Sequence, residues 1–251
     1  AALAHGRVEL EVVERGLPMF VEKPLAAELE PALRVAEAVQ ASGLITGVGY
    51  HWRWPDTVER ARELLAGRPA RLVAGSWLDA TPPIDWWQRR TGSGGQLVEQ
   101  ASHLVDTARL LVGEIDEVSA YADRTDRAAF PDLDVDDVTA ASVRFASGAV
   151  GSFTATCLLG WPHRVALHLF ADGLALELTE RQLMVTHGRD TTKVLVADGD
   201  PFVREDRAFV DAVQGREDRT RATYAEALRT HRVTTAAVRS AELGRPLPTG
   251  C

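Results

Sequence analysis

Phe20-Val21-Glu22-Lys23-Pro24-Leu25-Ala26 is the stretch on which the fold turns. The apolar run Met19-Phe20-Val21 reads as a short buried strand that ends in an acid, a base and a proline. Upstream, residues 5–16 read as a helix closed by Gly16. Downstream, a second helix is expected from Pro31 to Ser42, with Leu29, Leu33, Ala36 and Val39 on one stripe and Gly43 as its stop. Leu44-Ile45-Thr46-Gly47-Val48-Gly49-Tyr50 then reads as another buried strand. Helix, strand, helix, strand, with strands that are apolar throughout, is the grammar of a parallel α/β sheet. Two strands are too few for such a sheet to stand alone.

From Pro55 the pattern changes. A helix near 56–66 and a strand near 71–78 lead to the loop Thr81-Pro82-Pro83-Ile84-Asp85-Trp86-Trp87, and a long helix is expected over 96–112. Strand-like segments follow at 117–123, 137–146, 149–158, 163–170, 173–179, 181–187 and 191–197, with Gly148, Gly173 and Gly188 at turns between them. Two helices, 202–214 and 222–243, close the chain around Gly215. The expected fold class is therefore α/β plus α+β. Part of a Rossmann-like parallel sheet precedes an open, mostly antiparallel sheet with helices on one face.

Composition narrows the function classes. With 251 residues the chain can bury a substantial core, and 45% hydrophobic with 25% charged residues is the balance of a globular protein. A net charge of −8 argues against a nucleic-acid partner. No apolar run approaches the ~18 residues of a membrane helix, so no membrane partner is expected. Cys157 and Cys251 lie far apart and suggest neither a disulfide framework nor a metal knuckle, which makes the cytoplasm the expected compartment.

Only two of the 28 basic residues are lysines, Lys23 and Lys193. Arginine is bulky and never gives up its proton, whereas lysine is a compact ammonium that responds to its surroundings. A site needing that chemistry would keep Lys23 against the bias; Lys193 sits in an ordinary strand position. The second chemical cluster is Gly94-Gly95-Gln96-Leu97-Val98-Glu99-Gln100-Ala101-Ser102-His103-Leu104-Val105-Asp106. At about 100° per residue, Glu99, His103 and Asp106 share one side of the expected helix, opposite Leu97, Ala101 and Leu104. An ordinary surface ion pair would explain Glu99 and His103, but glycines before the helix permit a close backbone approach that a plain surface helix does not need.

Oxidising a secondary alcohol needs a base for the hydroxyl proton and a cation beside the developing alkoxide. His103 suits the first role and Lys23 the second, with Glu99 orienting His103 or binding substrate hydroxyls. Glu99 and His103 as metal ligands would need a third ligand that the spacing does not supply, so no metal is expected.

These residues match a known pattern. Glu22-Lys23-Pro24, the Gly-Gly…His…Asp helix about 70 residues later, Tyr50-His51-Trp52-Arg53-Trp54-Pro55 and the ending Ser240-Ala241-Glu242-Leu243-Gly244 resemble the glucose–fructose oxidoreductase/inositol dehydrogenase (Gfo/Idh/MocA) family. The resemblance covers essentially the whole chain. It implies residues 1–54 as the C-terminal portion of a dinucleotide-binding domain and 55–251 as a substrate-binding and oligomerisation domain. It further implies NAD or NADP as cofactor, with Glu22, Lys23 and Pro24 at the cofactor, and homo-oligomers formed through the open sheet. Lys23 and His103 would take the catalytic positions, with Glu99 beside them where the family more often has Asp. Asp106 would be the second acid of the motif, on the substrate side.

A sugar or polyol substrate suits the tryptophan-rich loops. Trp86 and Trp87 are the better candidates for contact, and Arg53 for a substrate anion or hydroxyl. The glycine-rich dinucleotide fingerprint is not found in the sequence. The chain is thus expected to begin late in the cofactor domain, with roughly 80–100 residues of preceding βαβ structure elsewhere. An omitted segment, a proteolysed fragment and a natural truncation all fit that expectation. The rival from another class is a cofactor-free binding or regulatory protein, or an inactive fragment, that keeps the C-terminal domain. A third reading is a metal-dependent isomerase or lyase using Glu99 and His103.

Overall fold

The structure, a computed structural model, describes residues 2–189 and 191–250; Ala1 and Cys251 lie outside the described residues. The chain opens with α1 (Arg7–Glu14), β1 (Met19–Val21), α2 (Leu29–Ser42) and β2 (Thr46–Val48). β1 and β2 pair in parallel, Met19 opposite Thr46 and Val21 opposite Val48. Gly43 stops α2 in the left-handed conformation (φ 65°), where its lack of a Cβ carries no steric penalty. The apolar strands and the α2 stripe meet in one cluster of Met19, Val21, Val35, Val48 and Tyr50. That cluster is completed from far along the chain by Tyr224 and Ala227.

Beyond a 3-10 turn at His51–Arg53 come α3 (Asp56–Leu65), β3 (Leu72–Ala80), α4 (Asp85–Gln88), α5 (Arg90–Ser93), α6 (Gln96–Glu99) and α7 (Ser102–Val112). The strands β4 (Ile115–Asp123), β5 (Val138–Phe145), β6 (Val150–Leu159), β7 (Arg164–Ala171), β8 (Leu174–Leu178), β9 (Gln182–His187) and β10 (Thr191–Val196) follow. α8 (Pro201–Val213), α9 (Tyr224–Leu243) and the short β11 (Leu247–Pro248) end the chain. The large sheet has the order β10-β9-β8-β7-β3-β6-β5-β4-β11. Its pairings are antiparallel except for β3 with β6. This is the open, mostly antiparallel sheet read from the sequence.

Period-two alternation sends Val73, Phe153, Leu167, Leu169, Leu176 and Val185 to one face. There they form the main core with Leu104, Ala108 and Val233 from the helices. The opposite face carries Leu72, Tyr121, Val150, Leu158, Phe170, Val194 and Val196, all exposed.

One expectation fails informatively. The helix expected over 96–112 is two helices, α6 and α7, parted at Gln100 and Ala101. Nor does α7 have a solvent face: Ser102 through Arg109 are all buried. The periodicity that separated a polar from an apolar side instead separates two interiors, the sheet core and a polar, buried site.

Candidate active site

Lys23 stands just beyond the carboxyl end of β1, and Tyr50 stands just beyond that of the parallel strand β2. In parallel α/β sheets this end is where ligands bind. The Lys23–Pro24 peptide is cis. The lysine side chain is mostly buried and reaches across to the motif helix. Its Nζ donates to the Glu99 backbone carbonyl at 2.6 Å and to Glu99 Oε1 at 2.7 Å. An ammonium has three donors, so one remains to be offered elsewhere.

The break between α6 and α7 explains the first of these bonds. In a continuous helix the Glu99 carbonyl would accept the amide of residue 103, but the His103 amide bonds the Gln100 carbonyl instead (3.3 Å). The freed carbonyl is the one that Lys23 takes. Glu99 Oε2 accepts the indole N–H of Trp87 at 2.8 Å. The acid expected to orient His103 therefore holds Lys23 and Trp87. Gly94 makes the approach possible: a Cβ there would stand 2.5 Å from the Ala27 carbonyl oxygen, just after the Lys23 segment. The close approach anticipated for the glycine pair thus occurs at Gly94.

His103, in the first turn of α7, is 3% exposed and sits in an aromatic box. Its ring centroid lies 4.6 Å from His51, 5.7 Å from Tyr50, 6.2 Å from Trp77 and 6.3 Å from Trp52. Burial, with smaller contributions from Lys23 and His51, holds its pKa well below the usual imidazole range. The ring is therefore neutral at pH 7 and able to accept a proton. Its Nδ1 is buried without a hydrogen-bond partner in the structure. A cavity of about 390 Å³ lined by His51, Trp52, Trp77, His103 and Glu180 opens beside it.

Arg53 and Asp106, expected at the substrate, bond to each other: Arg53 Nε to Asp106 Oδ2 at 2.6 Å and a terminal nitrogen to Oδ1 at 2.7 Å. Arg53 also donates to the Arg221 carbonyl (2.5 Å), and Asp106 Oδ1 accepts the Thr230 hydroxyl (2.7 Å). The pair is a buried cross-link from the 3-10 turn to α7 and α9. Its spacing on the expected helix face resembled that of a site because both faces of α7 are interior.

Trp87 is buried at 2% exposure, so it braces Glu99 and offers no open ring face. Trp86 is half-buried and packs on the cluster of Trp87, Leu133, Val135 and Cys157. Glu22 is exposed, and its carboxylate occupies the space a Cβ on Gly49 would need, 2.5 Å from Oε2. Pro24 is buried. Among the described residues, no three His, Cys, Asp or Glu side chains gather to hold a metal ion. No helix among them is long and apolar enough to cross a membrane.

Sequence reasoning missed His51, Trp77, Glu180 and Glu205. Trp77 sat in an unremarkable strand, and Glu180 in a turn, with no signal to find either. His51 lay within a quoted motif without a role. Glu205, on α8, is 5% exposed, and burial with the nearby Glu22 pushes its pKa up to about 8.

Fold and site together define a two-part α/β protein: a parallel-stranded portion and an open-sheet portion meet at a lysine, an acid and a histidine. Residues 58–173 match the GFO/IDH/MocA C-terminal domain. Levoglucosan dehydrogenase of Pseudarthrobacter phenanthrenivorans is 29% identical over 61% of this chain and 46% of its own length. The scyllo-inositol 2-dehydrogenase (NAD(+)) of Bacillus subtilis is 28% identical over 64% of this chain and 48% of its own. The chain thus spans about half the length of these relatives. The solved structure of levoglucosan dehydrogenase in complex with NADH and levoglucosan superposes with a TM-score of 0.87 at 21% identity, covering 99% of this chain and 78% of that one.

Proposed function

We propose that this chain carries the catalytic and substrate-binding part of an NAD-dependent dehydrogenase that acts on a secondary alcohol or ketone of a cyclitol, sugar or anhydrosugar. The observation that carries the reading is the Lys23–Glu99 pair, set at the carboxyl ends of two parallel strands and beside a neutral, buried His103. That end of the strands, with one ammonium donor uncommitted, fits a nicotinamide and a reacting oxygen. NAD is favoured over NADP because one relative is named for NAD(+) and solved neighbours are complexes with NADH.

A bound nicotinamide would accept or return the hydride. Lys23, fixed in place by Glu99, donates a hydrogen bond to the oxygen as negative charge develops on it. His103 takes the hydroxyl proton at a ring nitrogen. Trp87 keeps the Glu99 carboxylate aimed at Lys23 by satisfying its second oxygen. The aromatic box of Trp52 and Trp77 presents apolar ring faces to the substrate.

The division into 1–54 and 55–251 and a cytoplasmic location belong to the same proposal. So does homo-oligomerisation through the open sheet, supported by the apolar residues exposed on the face turned away from the helices. The direct test is NAD+ reduction at 340 nm with a panel of inositols, levoglucosan and simple sugars. Turnover with at least one cyclic polyol is expected. No turnover with any, together with no saturable NADH binding, would overturn the reading.

A further inference from the structure

We infer that His51 is a second proton carrier in this site and that His51 and Glu180 form the exit by which His103 sheds its proton to solvent. The inference rests on the dehydrogenase reading above. It starts from a difficulty: a base that is 3% exposed must be reset after every turnover, yet among the described residues no group is hydrogen-bonded to His103 Nδ1. The neighbour able to relieve it is His51, whose ring centroid lies 4.6 Å away in an edge-to-face arrangement. Two imidazoles this close can pass a proton across a single bridging water.

His51 in turn points its Nε2 toward Glu180 Oε1, 3.3 Å away, and the side chains of the two are 13% and 46% exposed. Exposure thus rises stepwise from His103 to His51 to Glu180, and all three line the same cavity. Phe202, from the first turn of α8, stacks on the His51 ring at 4.3 Å and fixes its plane.

The charges around His51 suit a carrier. Glu180 on the β8–β9 turn and Asp200 at the start of α8 favour its protonated form, while burial and Lys23 oppose it, and the net effect is a lowered pKa. The pKa of His103 is lowered as well, first by burial and then by Lys23 and His51.

The balance is simple. As the carbinol C–H hydride leaves for nicotinamide, the O–H bond breaks and its proton binds a His103 nitrogen. That proton then passes to His51, leaving His103 neutral, next to the Glu180 carboxylate, and finally to water. In ketone reduction the same groups carry the proton inward.

The test is steady-state turnover of His51→Ala with NAD+ and an active polyol, with and without added imidazoles of graded pKa. We expect kcat to fall about 10- to 100-fold with KM little changed. Added imidazoles should restore it, the more so the higher the pKa of the base; simple filling of the cavity would show no such grading. A kcat within twofold of the wild type, or a loss that no imidazole restores, would overturn the relay. If His51→Ala does not fold, Glu180→Gln serves. Its kcat should fall several-fold and recover with buffer concentration, and a buffer-independent, wild-type kcat would overturn the proposal. A wild-type protein without turnover on any polyol is a different failure, of the dehydrogenase reading itself, and the relay falls with it.

Discussion

Replacing Asp106 by alanine should unfold part of the stability of the whole molecule and leave substrate recognition nearly untouched. Asp106 is 0% exposed and Arg53 is 3% exposed. Both carboxylate oxygens accept from the guanidinium, at 2.6 and 2.7 Å, and one also accepts from Thr230 at 2.7 Å. Removing one partner of a buried pair strands the other charge, at a cost of about 3–5 kcal/mol. The orphaned Thr230 hydroxyl adds about 1 kcal/mol. Against a typical stability of about 5–15 kcal/mol, the loss is large enough to read in urea denaturation followed by tryptophan fluorescence. The double variant Arg53→Met/Asp106→Leu removes both charges and should be less destabilised than Asp106→Ala alone. If Asp106→Ala lay within about 1 kcal/mol of wild type while KM rose sharply, the cross-link argument would be wrong and the residue would belong to the substrate pocket.

Three further outcomes are expected. Glu205 has a folded pKa near 8 against an ordinary 4.5, so its contribution to stability is complete below about pH 4.5 and lost as pH rises through 8. Glu205→Gln should therefore stabilise the protein by about 3 kcal/mol at pH 7, with the gain vanishing near pH 4; a gain that does not change with pH would refute the assignment. Trp87→Phe removes the bond to Glu99 Oε2 and puts a smaller ring in a buried site, so kcat at saturating NAD+ should drop about tenfold and stability should fall by about 1–3 kcal/mol. Tyr121→Glu with Val150→Glu places charge on the exposed apolar sheet face, and light scattering should show the proposed homo-oligomer reduced to monomers; an unchanged oligomeric mass would exclude that face as the interface.

The strands and helices were legible because their burial is periodic: apolar runs at Met19–Val21 and Thr46–Val48, alternation in β5 and β6, and glycine stops at Gly43 and Gly244. Lys23 stood out because arginine had replaced nearly every other lysine, and Gly94 because a glycine before a helix implied a close neighbour. The partners of these residues were not legible. Glu99 binds Lys23 across 76 positions, through a carbonyl exposed by a helix break that a 100° repeat cannot register. Arg53 and Asp106 looked functional for the same reason that they are structural, since polar residues on a wholly buried helix must find each other. The environment of His103 assembles from the 3-10 turn, β3 and the β8–β9 turn, which only the folded chain brings together.

The central claim is that Lys23 and His103 perform the chemistry while the rest of the site positions them. The most direct test measures kcat for Lys23→Met and His103→Asn together with NADH affinity for each. The account predicts losses of about 10²–10⁴-fold in kcat for both variants, with NADH binding by His103→Asn unchanged. Turnover near the wild-type rate in both variants would contradict it.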